Sequence, residues 1–523
     1  RRAHRYLQMF DIDRFIDRLA GKLSGGMKQK LALVCALVPE PRVLLLDEPT
    51  TGVDPVSRRE FWDALAHLAA DNLTILVATP YLDEAERCHR VALIYAGAIQ
   101  QIGTPTELRG SLGATRLEVR TSPLGAAEQI LAGMSGSDGD FIDVQRFGDR
   151  LDVMAADAAQ AEAAVRAQLA ARQVPLAGLR RSSPTLENAF VTILRRDLGE
   201  APMPPFPTGR PAPASDGVGI GGYQLSKRFG DFQAVKDVTV EVRFGEIYGL
   251  VGANGAGKTT LIRMLCGLLE PSGGQVRLLG ETGNLRSGDL RSRIGYMSQK
   301  FSLYSELSVL ENLQFYSGAY GVPARWRQAR HQWVMEMAGL AESAGLAAGR
   351  LPAGWKQRLA FGAAIMHEPR VLFLDEPTSG VDPVARRAFW RLIHRLADQG
   401  VAILVTTHYL EEAEQCNRLG LMAAGELIAQ GAPGEVKKLA RGRLIEIEAD
   451  EPLRSAAALK ARYGNRSVSL FGHRLHLALA QPEETPERVR ALLADLRTGP
   501  RRVEEIEFSL EDVFISLVGR ESP

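Results

Sequence analysis

The sequence predicts an α/β fold built twice along one chain, and three observations carry that prediction. Residues 43–56, "VLLLDEPTTGVDPV", return as "VLFLDEPTSGVDPV" at 371–384, and the 328 positions between Asp47 and Asp375 also separate Ser24 from Pro352 and Pro80 from His408. Three segments in one ungapped register mark a duplication. In each half a leucine-rich run ends in an acidic pair, and a helical stretch then leads to a second apolar run, "LTILVAT" or "VAILVTT". Strands alternating with helices indicate a largely parallel sheet. The third observation is "GANGAGKT" at 252–259, set between the apolar run "IYGLV" and the helical "TLIRMLCGLL".

The totals fit several domains of ordinary globular composition. The chain has 523 residues, 45% apolar and 24% charged, which is too long for one typical domain. Lysine plus arginine (63) and aspartate plus glutamate (62) leave a net charge of +1, so no nucleic-acid partner is expected. Cys35, Cys88, Cys266 and Cys416 lie far apart with no C-x-x-C pair, which argues against a disulfide framework or a zinc site. No apolar run approaches the roughly 18 residues of a membrane-spanning helix. The nearest, "VALIYAGAI" at 91–99, reads as a buried strand.

Taken in order, residues 1–112 form the later part of a first repeat, and residues 113–197 a tail read as strand, helix, strand, helix. The proline-rich "LGEAPMPPFPTGRPAPASDG" at 198–217 reads as a semi-stiff linker. Residues 218–441 form the second repeat, and residues 442–523 a second tail of the same small α+β character. At the offset of 328, the first repeat's glycine-rich loop would lie before Arg1. The expectation is therefore an N-terminally shortened first repeat whose sheet lacks its leading strands.

The chemistry concentrates in the second repeat. G-x-x-x-x-G-K-[ST] between strand and helix is a phosphate-binding loop, because glycines let the backbone wrap until its N–H groups point at phosphate oxygens. Gly252, Asn254, Gly255, Ala256, Gly257 and Thr260 would line it, Lys258 would reach the β- and γ-phosphates, and the Thr259 hydroxyl would bind Mg²⁺. In "RVLFLDEP", Asp375 would hold the metal and Glu376 would polarise the attacking water. Gln299 in "YMSQK" offers an amide oxygen to metal and water, His408 after "AILVTT" can bond the γ-phosphate, and Phe229 can stack on a nucleobase.

The ordered set "GANGAGKT", Gln299, "LSGGMKQK", "LLLDEP", "GVDP" and "THYLEEAE" resembles the ATP-binding cassette (ABC) ATPases over most of residues 20–110 and 218–435. "GVDP" with "YL(D/E)EAE" is further similar to cassettes that power ABC-2 type exporters, here in a fused two-cassette form. The resemblance implies an ATPase using ATP and Mg²⁺, with two P-loop NTPase-type cassettes, each joining its phosphate loop to the L-S-G-G segment of the other. It also implies inter-cassette loops carrying Asp54 and Asp382, and separate membrane permease subunits. The segment after Gln299, with Tyr304, Glu306 and Leu307, is where such a permease is expected to dock.

Crossed pairing sorts the two sites. The phosphate loop of the second half would be clamped by Ser24, Gly25 and Gly26 of the first, with Asp375, Glu376 and His408 intact. The other site would use Asp47 and Glu48 with Pro80 in place of a histidine, clamped by Pro352, Ala353 and Gly354. Proline has neither hydroxyl nor N–H to give, and alanine adds a Cβ where close approach is needed. Both defects fall on one site, so one hydrolytic and one degenerate site are expected. Tandem cassettes of translation factors are the alternative reading. Their acidic loop runs D-E-P-T-N-H-L-D and their linker is basic and helical, whereas here the loop is "DEPTTGVDP" and the linker is proline-rich. A non-catalytic nucleotide-binding scaffold is a further alternative, opposed by the intact Glu376 and His408.

Overall fold

The computed structural model describes residues 2–70, 72–135, 140–198, 217–283, 285–299, 303–464, 467–471, 474–479 and 484–518. The expected linker at 198–217 falls almost wholly outside the described residues.

Six strands form the central sheet of the second half, in the order Ile294–Met297, Val371–Asp375, Ala402–Thr407, Ile247–Gly252, Arg418–Ala423 and Glu426–Gly431. The first five run parallel and the last antiparallel. Val371–Asp375 and Ala402–Thr407 are buried at every position, as expected for strands covered on both faces. The pairing aligns Asp375 with Thr406 and Val251 with Thr407. Three carboxyl ends therefore finish on one edge, where open α/β sheets bind their ligands. A three-stranded antiparallel sheet of Val218–Phe229, Phe232–Arg243 and Gly273–Leu278 lies beside them.

In the first half, Val43–Asp47 pairs in parallel with Thr74–Ala78, in the register of the matching pair in the second half. Val43, Leu45 and Leu76 are 55%, 70% and 66% exposed, whereas their counterparts Val371, Phe373 and Leu404 are wholly buried. In the second half those side chains join a cluster with Leu261, Ile262 and Leu265 of the helix that follows the glycine loop. Residues 91–99 differ from expectation. Val91–Tyr95 and Ala98–Gly103 form a hairpin, with Ile94 and Ile99 exposed, because Ala96 and Gly97 take up the left-handed backbone of a tight turn.

Each tail has two more strands than the sequence reading allowed. The first runs Thr115–Thr121, helix Leu124–Ala132, Asp143–Arg146, Leu151–Ala155, helix Ala158–Ala171 and Leu176–Ser182, a βαββαβ unit. The second tail repeats its sheet order, with two helices packed against the strands.

Each tail is bound to both halves. Helix Leu186–Leu198 packs back onto its own half through Leu186, Phe190 and Leu194 against Leu82, Leu93 and Leu108. Helix Leu510–Val518 does likewise through Leu510, Val513 and Phe514. Other contacts of each tail reach across to the opposite half. The Gly148 amide donates to the Glu414 carbonyl (2.8 Å), Asn417 Nδ2 donates to the Gly148 carbonyl (3.0 Å), and Arg150 pairs with Glu414 (2.7 Å). Arg146 meets Asp398 (2.7 Å), and Arg387 pairs with Asp143. In the opposite direction, Arg474 meets Glu86 (3.1 Å), Glu511 meets Arg87 (2.9 Å), and Lys460 Nζ lies 3.3 Å from His67.

Candidate active site

The glycine loop needs its glycines for two physical reasons. Gly255 and Gly257 have φ of 80° and 104°, a backbone region costly for residues with a Cβ. At Gly252 a Cβ would lie 2.1 Å from the Met422 carbonyl oxygen. The loop opens into helix Lys258–Leu265, and Lys258 Nζ donates to the carbonyls of Gly252 (2.7 Å) and Ala253 (3.1 Å). Burial lowers the Lys258 ammonium, while Glu376, Asp375 and Asp54 work to keep it charged.

Glu376 is the hub of the second-half site. Gln299 Nε2 donates to its Oε2 at 3.0 Å, and His408 Nδ1 lies 3.1 Å from its Oε1. Its φ of 52° is unusual for a side-chain-bearing residue. Two bonds hold the turn, since the Glu376 amide donates to the Thr406 carbonyl (3.0 Å) and hydroxyl (3.2 Å). Burial works to raise the Glu376 carboxyl, yet His408, Lys258 and Gln299 hold it below the usual carboxylate range. Asp375 behaves oppositely. Burial pushes it up, against the hydroxyls of Thr406 and Thr259 and the charge of Lys258. Thr259 bonds Asp375, and Gln299 bonds the adjoining Glu376, so side chains of the oxygen-bearing type that could hold a hard divalent cation lie on neighbouring segments here.

The two halves meet across a pseudo-twofold. Asn254 Nδ2 of the glycine loop donates to the Gly52 carbonyl of the first half at 2.6 Å. A Cβ on Gly25 would fall 3.8 Å from that same Asn254 nitrogen, so the "LSGG" helix start lies against the loop. Ser24 caps helix Gly25–Leu37 by accepting from the Met27 amide (3.3 Å), and a Cβ on Gly26 would strike Ser57 at 2.9 Å. Asp54 and Asp382 cap the helices that follow them, accepting from the Ser57 (3.1 Å) and Ala385 (2.9 Å) amides. Tyr81 and Tyr409 stack at 4.0 Å, with Arg386 over Tyr81 and Arg58 over Tyr409. Arg386 also donates to the Pro80 carbonyl at 3.3 Å.

The remaining expected residues are placed as follows. Glu48 shares the left-handed φ of Glu376, at 44°, but accepts from Thr51 (3.0 Å), four residues past Asp47. Pro352 heads helix Ala353–Ile365 with no side-chain cap, and a Cβ on Gly354 would fall 3.6 Å from the Gly380 carbonyl oxygen of its own half. Phe229 ends its strand 51% exposed beneath Lys227, and Ala256 and Thr260 lie within the loop and its helix. Tyr304 and Glu306 are exposed and Leu307 is half-buried. Tyr304 packs edge-on against Phe315. Sequence reasoning missed Thr378, Arg386, Thr407 and Glu412, which link the acidic loop to the His408 turn. Their exact repetition as Thr50, Arg58, Thr79 and Glu84 was the available signal.

The family described as ABC transporter matches residues 1–51 and 235–379, and the ATP-binding protein DrrA1-3-like C-terminal domain matches residues 431–518. The "Probable multidrug ABC transporter ATP-binding protein YbhF" of Escherichia coli (strain K12) is 43% identical over 447 residues, 83% of this chain and 74% of that protein. The Nod factor export ATP-binding protein I of Burkholderia lata is 38% identical over 299 residues, 57% of this chain and 96% of that one. A solved ATP-binding subunit of an ABC transporter is similar at 28% identity, covering 42% of this chain and 92% of its own, with a TM-score of 0.40. With its duplicated acidic loops and its glycine-rich phosphate loop, the chain belongs to the ATP-binding proteins of ABC transporters, a family of ATPases.

Proposed function

We propose that the chain is the ATP-hydrolysing motor of an ABC-2 type export system, driving permease subunits carried on separate chains by closing its two cassettes around ATP. The observation that carries this reading is the crossed seating of Asn254 against Gly52, with Gly25 beside it. A phosphate held by the second half would then meet a serine hydroxyl and helix-start amides from the first, a charge-assisted set of donors.

In this reading Lys258 and the loop amides bind the phosphates, and Ser24, Gly25 and Gly26 clamp the γ-phosphate. Glu376, kept ionised, takes a proton from the attacking water, and Gln299 and His408 hold its carboxylate in place. Thr259, Gln299 and Asp375 would hold Mg²⁺, which supplies positive charge beside the phosphate oxygens when bound. Phe229 would stack on the adenine. The second clamp, Pro352, Ala353 and Gly354, serves a degenerate site with Asp47, Glu48 and Pro80. Asp54 and Asp382 shape the loops between the cassettes. Among the described residues no helix is long and apolar enough to cross a membrane. On the strength of the transporter relatives we place the chain on the cytoplasmic face, held there by permeases at the surface around Tyr304, Glu306 and Leu307. The multidrug and Nod factor relatives support export.

Phosphate release by the full-length protein tests the reading. Glu376→Gln should lower turnover by about a hundredfold or more, the usual contribution of a general base, whereas Glu48→Gln should leave most of it. Equal losses would overturn the asymmetric pair.

A further inference from the structure

Glu412 takes no part in the chemistry above, yet its carboxylate joins the two loops that perform it. It is buried, four residues beyond His408. Its Oε1 accepts from Thr378 Oγ1 at 2.6 Å and its Oε2 from Thr407 Oγ1 at 3.2 Å. Thr378 lies two residues after Glu376, and Thr407 immediately precedes His408. Thr407 Oγ1 also accepts from the Tyr409 amide (2.9 Å), closing the turn that aims the histidine. Arg386 Nε approaches Glu412 at 3.4 Å, on the same guanidinium that reaches the Pro80 carbonyl of the opposite cassette.

We infer that Glu412 is a positioning residue for ATP hydrolysis: through Thr378 and Thr407 it fixes the loop bearing Glu376 to the turn bearing His408, and Arg386 makes that fastening answer to the opposite cassette. The inference rests on the proposed role of Glu376. The first half supplies an internal comparison. Glu84 accepts from Thr50 and from Thr79 (2.7 Å) and lies 3.9 Å from Arg58. A purely structural duty is common to both glutamates. Alignment of a histidine is not, because Pro80 occupies that place in the first half.

The test is steady-state hydrolysis by the full-length protein, with mant-ATP titration and thermal melting alongside. Glu412→Ala should lower kcat by roughly a hundredfold, the cost of about an ångström of misplacement, with parental affinity for mant-ATP. Glu84→Ala, which breaks the matching bonds, should melt as early yet keep most of kcat. Glu412→Gln should restore much of the rate, since its amide oxygen still accepts from a threonine. Where Glu412→Ala does not fold, Thr378→Val serves, with the same split between kcat and mant-ATP affinity. Parental kcat in Glu412→Ala or Thr378→Val, or equal kcat losses in Glu84→Ala and Glu412→Ala, overturns the inference. Full turnover in Glu376→Gln would remove both readings, whereas full turnover in Glu412→Ala beside an inactive Glu376→Gln removes only this one.

Discussion

Replacing Gly148 with alanine adds one methyl group at the tip of the hairpin by which the first tail grips the second half. The methyl would sit 1.7 Å from the Cys416 carbonyl oxygen and 2.2 Å from its carbon, where no Cβ approaches within 3.0 Å. The hairpin must therefore retreat by more than an ångström, since backbone lies on the far side. That retreat breaks the bonds from the Gly148 amide to Glu414 and from Asn417 to the Gly148 carbonyl, each about 1 kcal/mol, and stretches the Arg150–Glu414 pair, a charged bond of about 1.5–3 kcal/mol. The expected loss is about 3–5 kcal/mol. That suffices to undock the tail, whose own core of Leu117, Val119, Leu151 and Val153 is untouched. Hydrogen–deuterium exchange should quicken at 143–151 and 414–417 while protection within Thr115–Thr121 persists. Unchanged exchange at 414–417 in a folded variant would refute the crossed docking.

Three further outcomes are expected. Pro352→Ser with Ala353→Gly should restore a cap to helix Ala353–Ile365 and tighten nucleotide at the site proposed to be degenerate, in the full-length protein. Equilibrium titration checks this, and unchanged affinity would place the defect elsewhere. The tail contact should also depend on acid. Burial alone raises Glu414, but Lys437 and Arg150 hold it down to about 2 from an ordinary 4.5. Its contribution, roughly 3 kcal/mol, is complete above about pH 4.5 and is lost as pH falls toward 2. Calorimetric melting should show a shallower acid decline in Arg150→Ala. Tyr409→Ala removes a buried ring stacked on Tyr81 and should cost about 3–5 kcal/mol, read as a lower melting temperature.

Much of the second half was legible because its signals are local. A glycine loop between strand and helix and an acidic pair ending a leucine-rich run are short patterns, and parallel pairing brings Gly252, Asp375 and His408 to one edge. The tails were read less completely. Asp143–Arg146 and Leu151–Ala155 are four and five residues long and buried throughout, so they lack the alternation that marks a half-buried strand. Which half a tail seats upon is not local at all. It depends on contacts such as Arg150 with Glu414, 264 residues apart. A trace existed in the paired strings "FGDR" at 147–150 and "FGHR" at 471–474, whose arginines meet the matching residues Glu414 and Glu86. The Glu412 linkage was hidden for a different reason. A buried carboxylate between two threonines resembles any acidic residue of a helix until its partners are placed.

The exchange of tails also bears on how the motor moves. Each appendage is covalently part of one half and seated on the other, which tethers the two facing surfaces to one another. Their meeting is then governed by a local effective concentration rather than by the amount of protein in the cell. A working stroke that kept these contacts would rock the halves about the two tails, with no parting and re-encounter.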